Sequence, residues 1–256
     1  QYNSIGQLLR EHSPDGTPKP HEADRPEDVS TESTLNASDY YSNFIYNDKS
    51  QLRFSRNAKQ KEEGTYSYTK YDALGRVIEV GEATGYHEAT LYAQRNNNSH
   101  YPSEHTRDVT RTVYTEKIDL SLLPVEHHAL LTQEYVQIEN NLNNRVSYAY
   151  TDRDGNASTQ EDNVFTLYNY DPHGNVDWLV QIIPGMLPVG IKYEYDLISG
   201  KVLKVSYNPG KADEFYHKYD YDASNRLTEV YTSKDGHLWE KEANYEYYLH
   251  GPLKRT

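Results

Sequence analysis

Aromatic and aliphatic residues recur at every second position in short runs, and each run is cut by Asp, Asn, Gly or Pro. The clearest are Tyr168-Asn-Tyr170-Asp171, Tyr193-Glu-Tyr195-Asp196 and Tyr219-Asp-Tyr221-Asp222. A period of two places both rings of a Tyr-x-Tyr pair on one face of a strand. A large ring also packs well on a pleated surface. A second apolar run follows, as in Arg76-Val-Ile-Glu-Val80, Asn175-Val-Asp-Trp-Leu-Val180, Lys201-Val-Leu-Lys-Val205 and Arg226-Leu-Thr-Glu-Val230. These second runs alternate only in part. Each pair of runs predicts a hairpin, and hairpins joined end to end predict one long antiparallel ribbon of sheet.

The residues between the runs are turn formers. Asp suits the first position of a type I turn, where its carboxylate bonds the backbone two residues on. Three residues later stands a residue that tolerates positive φ: Gly75 after Asp72, Gly174 after Asp171, Asn225 after Asp222. A type I turn closed in this way is a common hairpin connection. Pro172 pre-sets φ at the second position of its turn. Asp196-Leu-Ile-Ser-Gly200 carries one extra turn residue.

The phrase repeats. Tyr170 to Tyr195 is 25 residues, Tyr195 to Tyr221 is 26, Tyr221 to Tyr247 is 26, and Tyr46 to Tyr71 is 25. A unit of that length is one supersecondary piece, too small to bury a core alone. Six copies are usable and two are degenerate. Asn3 and Asn47 stand in the Asp position, Ser50 stands where Gly is wanted, and Tyr248 replaces Asp before Gly251-Pro252. Tyr148-Ala-Tyr150 reads as a first strand followed by a poor turn, Thr151-Asp-Arg-Asp-Gly155. Between Tyr71 and Tyr150 the strand signal is weak, with Arg111-Thr-Val-Tyr-Thr115 the best candidate.

The array therefore occupies residues 1–256, with units near 1–10, 39–85 and 145–256. Residues 11–38 read as a polar insertion holding Pro14, Pro18, Pro20 and Pro26. Residues 86–144 read as an irregular segment with a short helix over 123–134, which Pro124 would start.

Composition adjusts this picture. Leu, Ile, Val and Phe make 49 of 256 residues and the net charge is −13, values that point toward disorder. Twenty-six Tyr point the other way, because disordered segments are poor in aromatics. A thin single-layer sheet reconciles the two, since a Tyr ring buries area while its hydroxyl reaches water or a partner. The acidic balance argues against nucleic acid as partner. No apolar run approaches the ~18 residues of a membrane span. The absence of Cys excludes disulfides and thiol chemistry.

The units resemble RHS/YD repeats, whose core phrase is Tyr-Asp-x-x-Gly-Arg-Leu; Tyr71-Asp72-Ala-Leu-Gly75-Arg76-Val77 matches it nearly throughout. Tyr170-Asp-Pro-His-Gly-Asn-Val176, Tyr193-Glu-Tyr-Asp-Leu-Ile-Ser-Gly-Lys-Val202 and Tyr247-Tyr-Leu-His-Gly-Pro-Leu253 are similar to the large secreted YD-repeat proteins of Bacteroidetes-type bacteria, of polymorphic-toxin type. The resemblance implies an all-β fold, a strongly curved antiparallel sheet of tandem hairpins that forms part of a hollow spiral shell. It also implies that the shell encloses the protein's own C-terminal cargo or effector. This chain is then an internal fragment of the shell. Its partners are the rest of the same polypeptide, together with secretion machinery or surface glycans, and its location is extracellular or at the cell surface. The self-cleaving core of such proteins carries an Asp-Pro-x-Gly-like motif. Asp171-Pro172-His-Gly174 shares that spelling but fills a regular turn.

The residues expected to build the repeat are Tyr71, Asp72, Gly75, Arg76, Tyr170, Asp171, Gly174, Tyr195, Asp196, Gly200, Tyr221, Asp222, Asn225 and Arg226. Arg76, Arg226 and Lys201 are expected to pair with Asp residues of neighbouring units or to stack on Tyr faces. Dedicated chemistry is scarce. Asp152-Arg-Asp154-Gly-Asn156 starts like a calcium loop, but Ala157 and Asn163 stand where Gly and Glu are needed. Glu126-His127-His128 lacks a second His pair at zinc-ligand spacing. No cofactor and no catalytic residue is expected. Two further readings stay open: a surface adhesion or carbohydrate-binding module using the Tyr rows, and a glycan-active enzyme with paired carboxylates of raised pKa.

Overall fold

The computed structural model describes residues 1–12, 41–135, 140–153 and 162–256. The polar insertion expected at 11–38 lies, from residue 13 onward, outside the described residues. The first described strands are β1 (Arg10–His12), β2 (Tyr41–Tyr46), β3 (Leu52–Arg56), β4 (Thr65–Tyr71), β5 (Val77–Thr84) and β6 (Thr106–Tyr114). There follow β7 (Val146–Asp152), β8 (Val164–Tyr170), β9 (Val176–Ile182), β10 (Val189–Tyr195) and β11 (Val202–Tyr207). The last are β12 (Phe215–Tyr221), β13 (Leu227–Ser233), β14 (Glu240–Asn244), β15 (Glu246–Tyr247) and β16 (Leu253–Arg255). Strands β1 to β14 form one sheet whose spatial order is the sequence order, and β15 and β16 form a separate pair. The fold is therefore nearly all-β, built as a run of consecutive antiparallel hairpins.

Six hairpins share one irregularity. The register slips by a residue immediately before Tyr46, Tyr71, Tyr170, Tyr195, Tyr221 and Tyr247. Each Tyr then faces the first residue of its return strand, as Tyr71 faces Val77 and Tyr221 faces Leu227. A bulge adds one residue to one strand, bends it and raises its local twist. The partial alternation of the return strands comes from that extra residue.

One hairpin is disguised. The Thr115 N–H donates to the Arg145 carbonyl at 3.0 Å, as the Asp72 N–H does to the Arg76 carbonyl at 2.9 Å. Four residues separate Asp72 from Arg76 and 30 separate Thr115 from Arg145, so this turn carries 26 extra residues. They include a 3-10 turn at Leu120–Leu122 and helix α3 at Val125–Glu134. Tyr148 and Tyr150 consequently lie on β7, the return strand of this hairpin, and not on the first strand that their alternation suggested. Residues 86–144 also hold helix α2 (Glu88–Ala93) and strand β6.

The chain divides into two compact units, Gln1–Arg111 with Thr151–Ser158, and Thr112–Tyr150 with Thr159–Thr256. In the first, Ile45, Phe54, Tyr66, Tyr68 and Ala83 pack beneath Leu91 of α2. Helix α1 (Ala58–Glu63) joins β3 to β4. It opens with a reciprocal cap between Asn57 and Gln60 and closes on Gly64 at φ 70°, so both ends have their orphan backbone groups met. In the second unit, Ile118, Leu123, Leu131 and Tyr135 of the inserted turn cover Phe165, Leu167, Trp178, Val180 and Ile182. The insertion thus supplies the second layer that a bare hairpin ribbon lacks.

Candidate functional site

The repeat residues converge on the turns and on the seams between hairpins. Asp72, Asp171 and Asp222 each accept from the backbone N–H four residues on, at 2.8, 2.9 and 3.0 Å. Asn3 and Asn47 do the same for Gln7 and Gln51, both at 2.8 Å. The exits adopt positive φ as the turn requires: Gly75 84°, Gly174 98°, Gly200 68°, Asn225 60°, and Ser50 64° where a Gly was wanted. With its extra residue, the Asp196 turn closes from the Asp196 N–H to the Lys201 carbonyl at 2.8 Å.

The expected arginine ladder between units is corrected in part. Arg76 Nε bonds Asp72 of its own turn at 2.7 Å, and Arg226 Nε bonds its own Asp222 at 2.7 Å. Four residues across a tight turn bring the two side chains together, so the pairing is local. Stacking does cross the seam, with the Arg226 guanidinium 4.7 Å from the Tyr247 ring centre.

In five of the phrases the second Tyr is the link between hairpins. Its hydroxyl donates to the carbonyl of the first residue of an earlier return strand. Tyr71 reaches Leu52, Tyr170 reaches Val146, Tyr195 reaches Val176, Tyr221 reaches Val202 and Tyr247 reaches Leu227, all at 2.8–2.9 Å. Replacing Tyr195 or Tyr221 by Phe should lower stability by about 0.5–1.5 kcal/mol each, with the two losses adding, because each removes one neutral hydrogen bond at a separate seam. Urea midpoints of the two single variants and the double variant measure this.

The turn carboxylates titrate low. The Arg226 backbone N–H, then its guanidinium, holds Asp222 below the usual range, and Ser199 does so for Asp196. Partial burial pushes Asp72 and Asp171 upward, but the bonds from Arg76 and Asn175 outweigh it. A depressed native pKa stabilises the fold above the unfolded value, about 3.9 for Asp, and that contribution disappears as pH falls below it through the native values. The urea midpoint should therefore fall steadily from about pH 5 to pH 2, and less steeply in Asp222→Asn. A flat profile in the parent protein contradicts the assignment.

The first unit also holds a charged network. Glu79 accepts from Tyr68 at 2.7 Å, Lys70 at 2.8 Å and Arg111 at 2.8 Å, and Arg111 reaches Asp152 at 3.2 Å. Burial pushes Glu79 upward, and these donors bring it below its ordinary value. Burial raises Tyr68 far above its ordinary value. Asp72, Glu79, Glu82, Asp119, Asp171, Asp196, Asp222, Glu229 and Asp235 are all displaced downward. Asp152, the first residue of the calcium-like stretch, is buried in this network; residues 154–157 lie outside the described residues. No group of three metal-ligating side chains occurs among the described residues. His128 meets the Leu123 carbonyl at 2.9 Å.

The two sheet faces of the second unit differ. Beyond β9 the face that carries Trp178 and Val180 becomes polar, with Lys204 3.3 Å from Glu194 and Lys241 2.5 Å from Glu229. The opposite face carries cross-strand rows, Tyr168-Leu179-Ile191-Tyr207-Phe215 and Tyr193-Val205-His217-Thr232. Their members are half-buried, and Tyr193 stacks on Tyr195 at 6.3 Å.

A cavity of about 640 Å³ lies in the first unit, lined by the amides Asn3, Gln7, Asn43 and Asn47 and by Tyr46 and Tyr92. Gln7 Nε2 and Asn43 Oδ1 are shielded from solvent and have no hydrogen-bond partner. Gln7 fills the turn position four residues after Asn3, but Asn43 belongs to no turn, so nothing in the sequence brings the two together. A smaller hollow of about 260 Å³ beside Phe215 and Leu238 contains Ser233 and Asp235, which bond each other at 3.0 Å.

No family model matches this chain, and no curated protein matches it. Among solved structures it is similar to the crystal structure of TcdB2-TccC3-TEV, with a TM-score of 0.30 and 12% identity over 83% of this chain. It is also similar to the Photorhabdus luminescens Tc holotoxin pore carrying a TccC3 variant, with a TM-score of 0.31 and 12% identity over 83% of this chain. The chain spans 11% of the length of each of those chains.

Proposed function

We propose that this chain is a stretch of RHS/YD-repeat wall within a longer secreted polypeptide, and that the wall encloses that polypeptide's own C-terminal cargo. The observation that carries the reading is the row of Tyr hydroxyls bonded across successive hairpins. Such a wall lengthens by adding units instead of by growing a core. The bulge repeated in each of six hairpins supplies the bending that a closed wall needs. The half-buried aromatic rows of the second unit offer a face for enclosed polypeptide. In this role the chain is architectural and works without catalysis or cofactor.

The test begins with the native source, where mass analysis identifies the polypeptide that carries these residues. Limited proteolysis of that polypeptide then compares its C-terminal region before and after denaturation. The expected result is a much larger polypeptide whose C-terminal region is protected only in the intact state. A mature protein of 29.7 kDa, or a C-terminal region cut equally fast in both states, overturns the reading.

A further inference from the structure

We propose that the uncharged sheet face of the second unit docks against the same face of a second copy of this chain. The two faces of β9 to β13 separate charge. The face that carries Trp178 continues through Lys192, Glu194, Lys204, Lys218, Asp220 and Glu229. On the other face run two cross-strand rows, from Leu179 to Phe215 and from Tyr193 to Thr232. Neither row holds a carboxylate, an ammonium or a guanidinium. None of their members belongs to the buried core, and the inserted turn packs on the Trp178 face instead. A sheet with an apolar face is completed by a second layer. Apolar patches of this width mark interaction sites when no such layer is in place.

Charge, shape and area select a copy of the chain as the occupant. Each copy carries a net charge of −13, so two copies repel over most of their surface. They meet without opposing like charges where the surface carries none. Two sheets of the same right-handed twist pack face to face with their strands about 30° apart and their inner side chains interdigitated. The pairing is isologous, each row meeting its counterpart about a twofold axis. Tyr, Phe and few charges are also the composition of an interface core. Strands β9 to β13 are six or seven residues long. Five strands about 4.8 Å apart, with about 3.3 Å per residue, give a footprint of about 550 Å² per copy. The total of about 1,100 Å² just exceeds the ~1,000 Å² that a specific interface needs, which makes this a weak dimer. Its Kd is on the order of 10–100 μM. The inference goes beyond the wall reading and does not rest on it; within the longer polypeptide, enclosed chain would compete for the same face.

The test is sedimentation velocity on the 256-residue chain, from about 1 μM to about 500 μM, a range that brackets the expected Kd. The mean mass should rise from 29.7 kDa toward twice that value and stop there, because an isologous contact closes on itself. Val205→Glu puts a charge in the middle of the face and should weaken the dimer by about tenfold or more. His217→Lys does the same at a side chain that is already polar, and keeps the test open if Val205→Glu does not fold. Lys192→Glu, at an exposed position on the charged face, should leave the dimer unchanged. A chain that stays at 29.7 kDa throughout overturns the proposal. So does a mass that grows past the dimer, or a dimer that Val205→Glu and His217→Lys leave intact, as pairing through the β14 edge would. None of these outcomes touches the wall reading, which the mass and the protease protection of the native polypeptide decide.

Discussion

Replacing Arg53 with Met should destabilise the first unit by about 3–5 kcal/mol, because several buried acceptors lose a charged donor at once. Arg53 sits on β3 with no solvent exposure. Its Nε donates to the Thr69 carbonyl at 2.8 Å, its Nη1 to the Asn97 carbonyl at 3.1 Å and Asn98 Oδ1 at 3.2 Å, and its Nη2 to the Tyr101 carbonyl at 2.6 Å. Burial lowers its pKa to about 10, so it stays cationic at neutral pH. One guanidinium thus fastens the segment 95–101 to the sheet, where the Asn98 carbonyl accepts the Tyr71 N–H at 3.0 Å. Met fills much of the same volume, so the loss is mainly of hydrogen bonds to a charged donor, worth about 1.5–3 kcal/mol apiece before non-additivity. Lys should rescue little, because an ammonium cannot reach carbonyls arranged around a planar fork. Urea unfolding measures the loss, and hydrogen exchange should show residues 95–101 opening first. A loss below about 1 kcal/mol would mean that water replaces the guanidinium at no cost.

The contrast between Arg53 and Arg76 explains what the sequence could reveal. Arg76, Asp72 and Gly75 lie within five residues, so their geometry is dictated by turn chemistry that any reader of the sequence can apply. The same holds at Tyr170-Asp171-Gly174, Tyr195-Asp196-Gly200 and Tyr221-Asp222-Asn225, where the hairpins stand at the spacing of the phrase. The seam bonds are one step less local. A Tyr-x-Tyr pair announces two rings on one face, but not that the second hydroxyl reaches the carbonyl of an earlier strand 19 residues away, as Tyr221 does with Val202. Arg53 is less legible again, because its acceptors lie 16 to 48 residues along the chain.

The disguised hairpin failed for a different reason. Thr115 carries no carboxylate, and 26 extra residues part it from Arg145, so neither composition nor spacing marks the turn. Tyr148-Ala-Tyr150 then imitated a first strand, because both strands of a hairpin alternate. The bulge offered a cue in hindsight: first strands here end in Tyr directly before the turn residue, whereas Tyr150 is followed by Thr151 and the buried, paired Asp152. The amide-lined cavity left no sequence trace because Asn43 belongs to no turn, and only the fold brings it to one wall with Gln7.

Trp178→Ala should cost the second unit about 3–5 kcal/mol, as expected for an aromatic ring deleted from a fully enclosed site. Trp178 has no solvent exposure, and its ring meets that of Tyr135 edge-on at 5.3 Å and 60°. Tyr135, which ends α3, has room there only because residue 190 is Gly; a Cβ at that position would lie 2.0 Å from the Tyr135 hydroxyl. The inserted turn therefore docks through a ring that fits between Trp178 and a bare backbone. Trp178→Phe should be far milder than the Ala variant. It keeps an aromatic partner for Tyr135 and removes an indole N–H buried without a partner, a burden of about 1–3 kcal/mol. Gly190→Ala should act on the docking directly, costing about 1–3 kcal/mol through overpacking. In the Trp178→Ala and Gly190→Ala variants, hydrogen exchange should loosen residues 125–134 while the turns at Asp196 and Asp222 keep their protection. Their bonds are made within the turn and do not depend on the insertion. If the helix and those turns lose protection together, the insertion is integral to the hairpin wall. If the helix alone loosens, it is a cover laid over a wall that stands without it, as the Tyr hydroxyl row predicts.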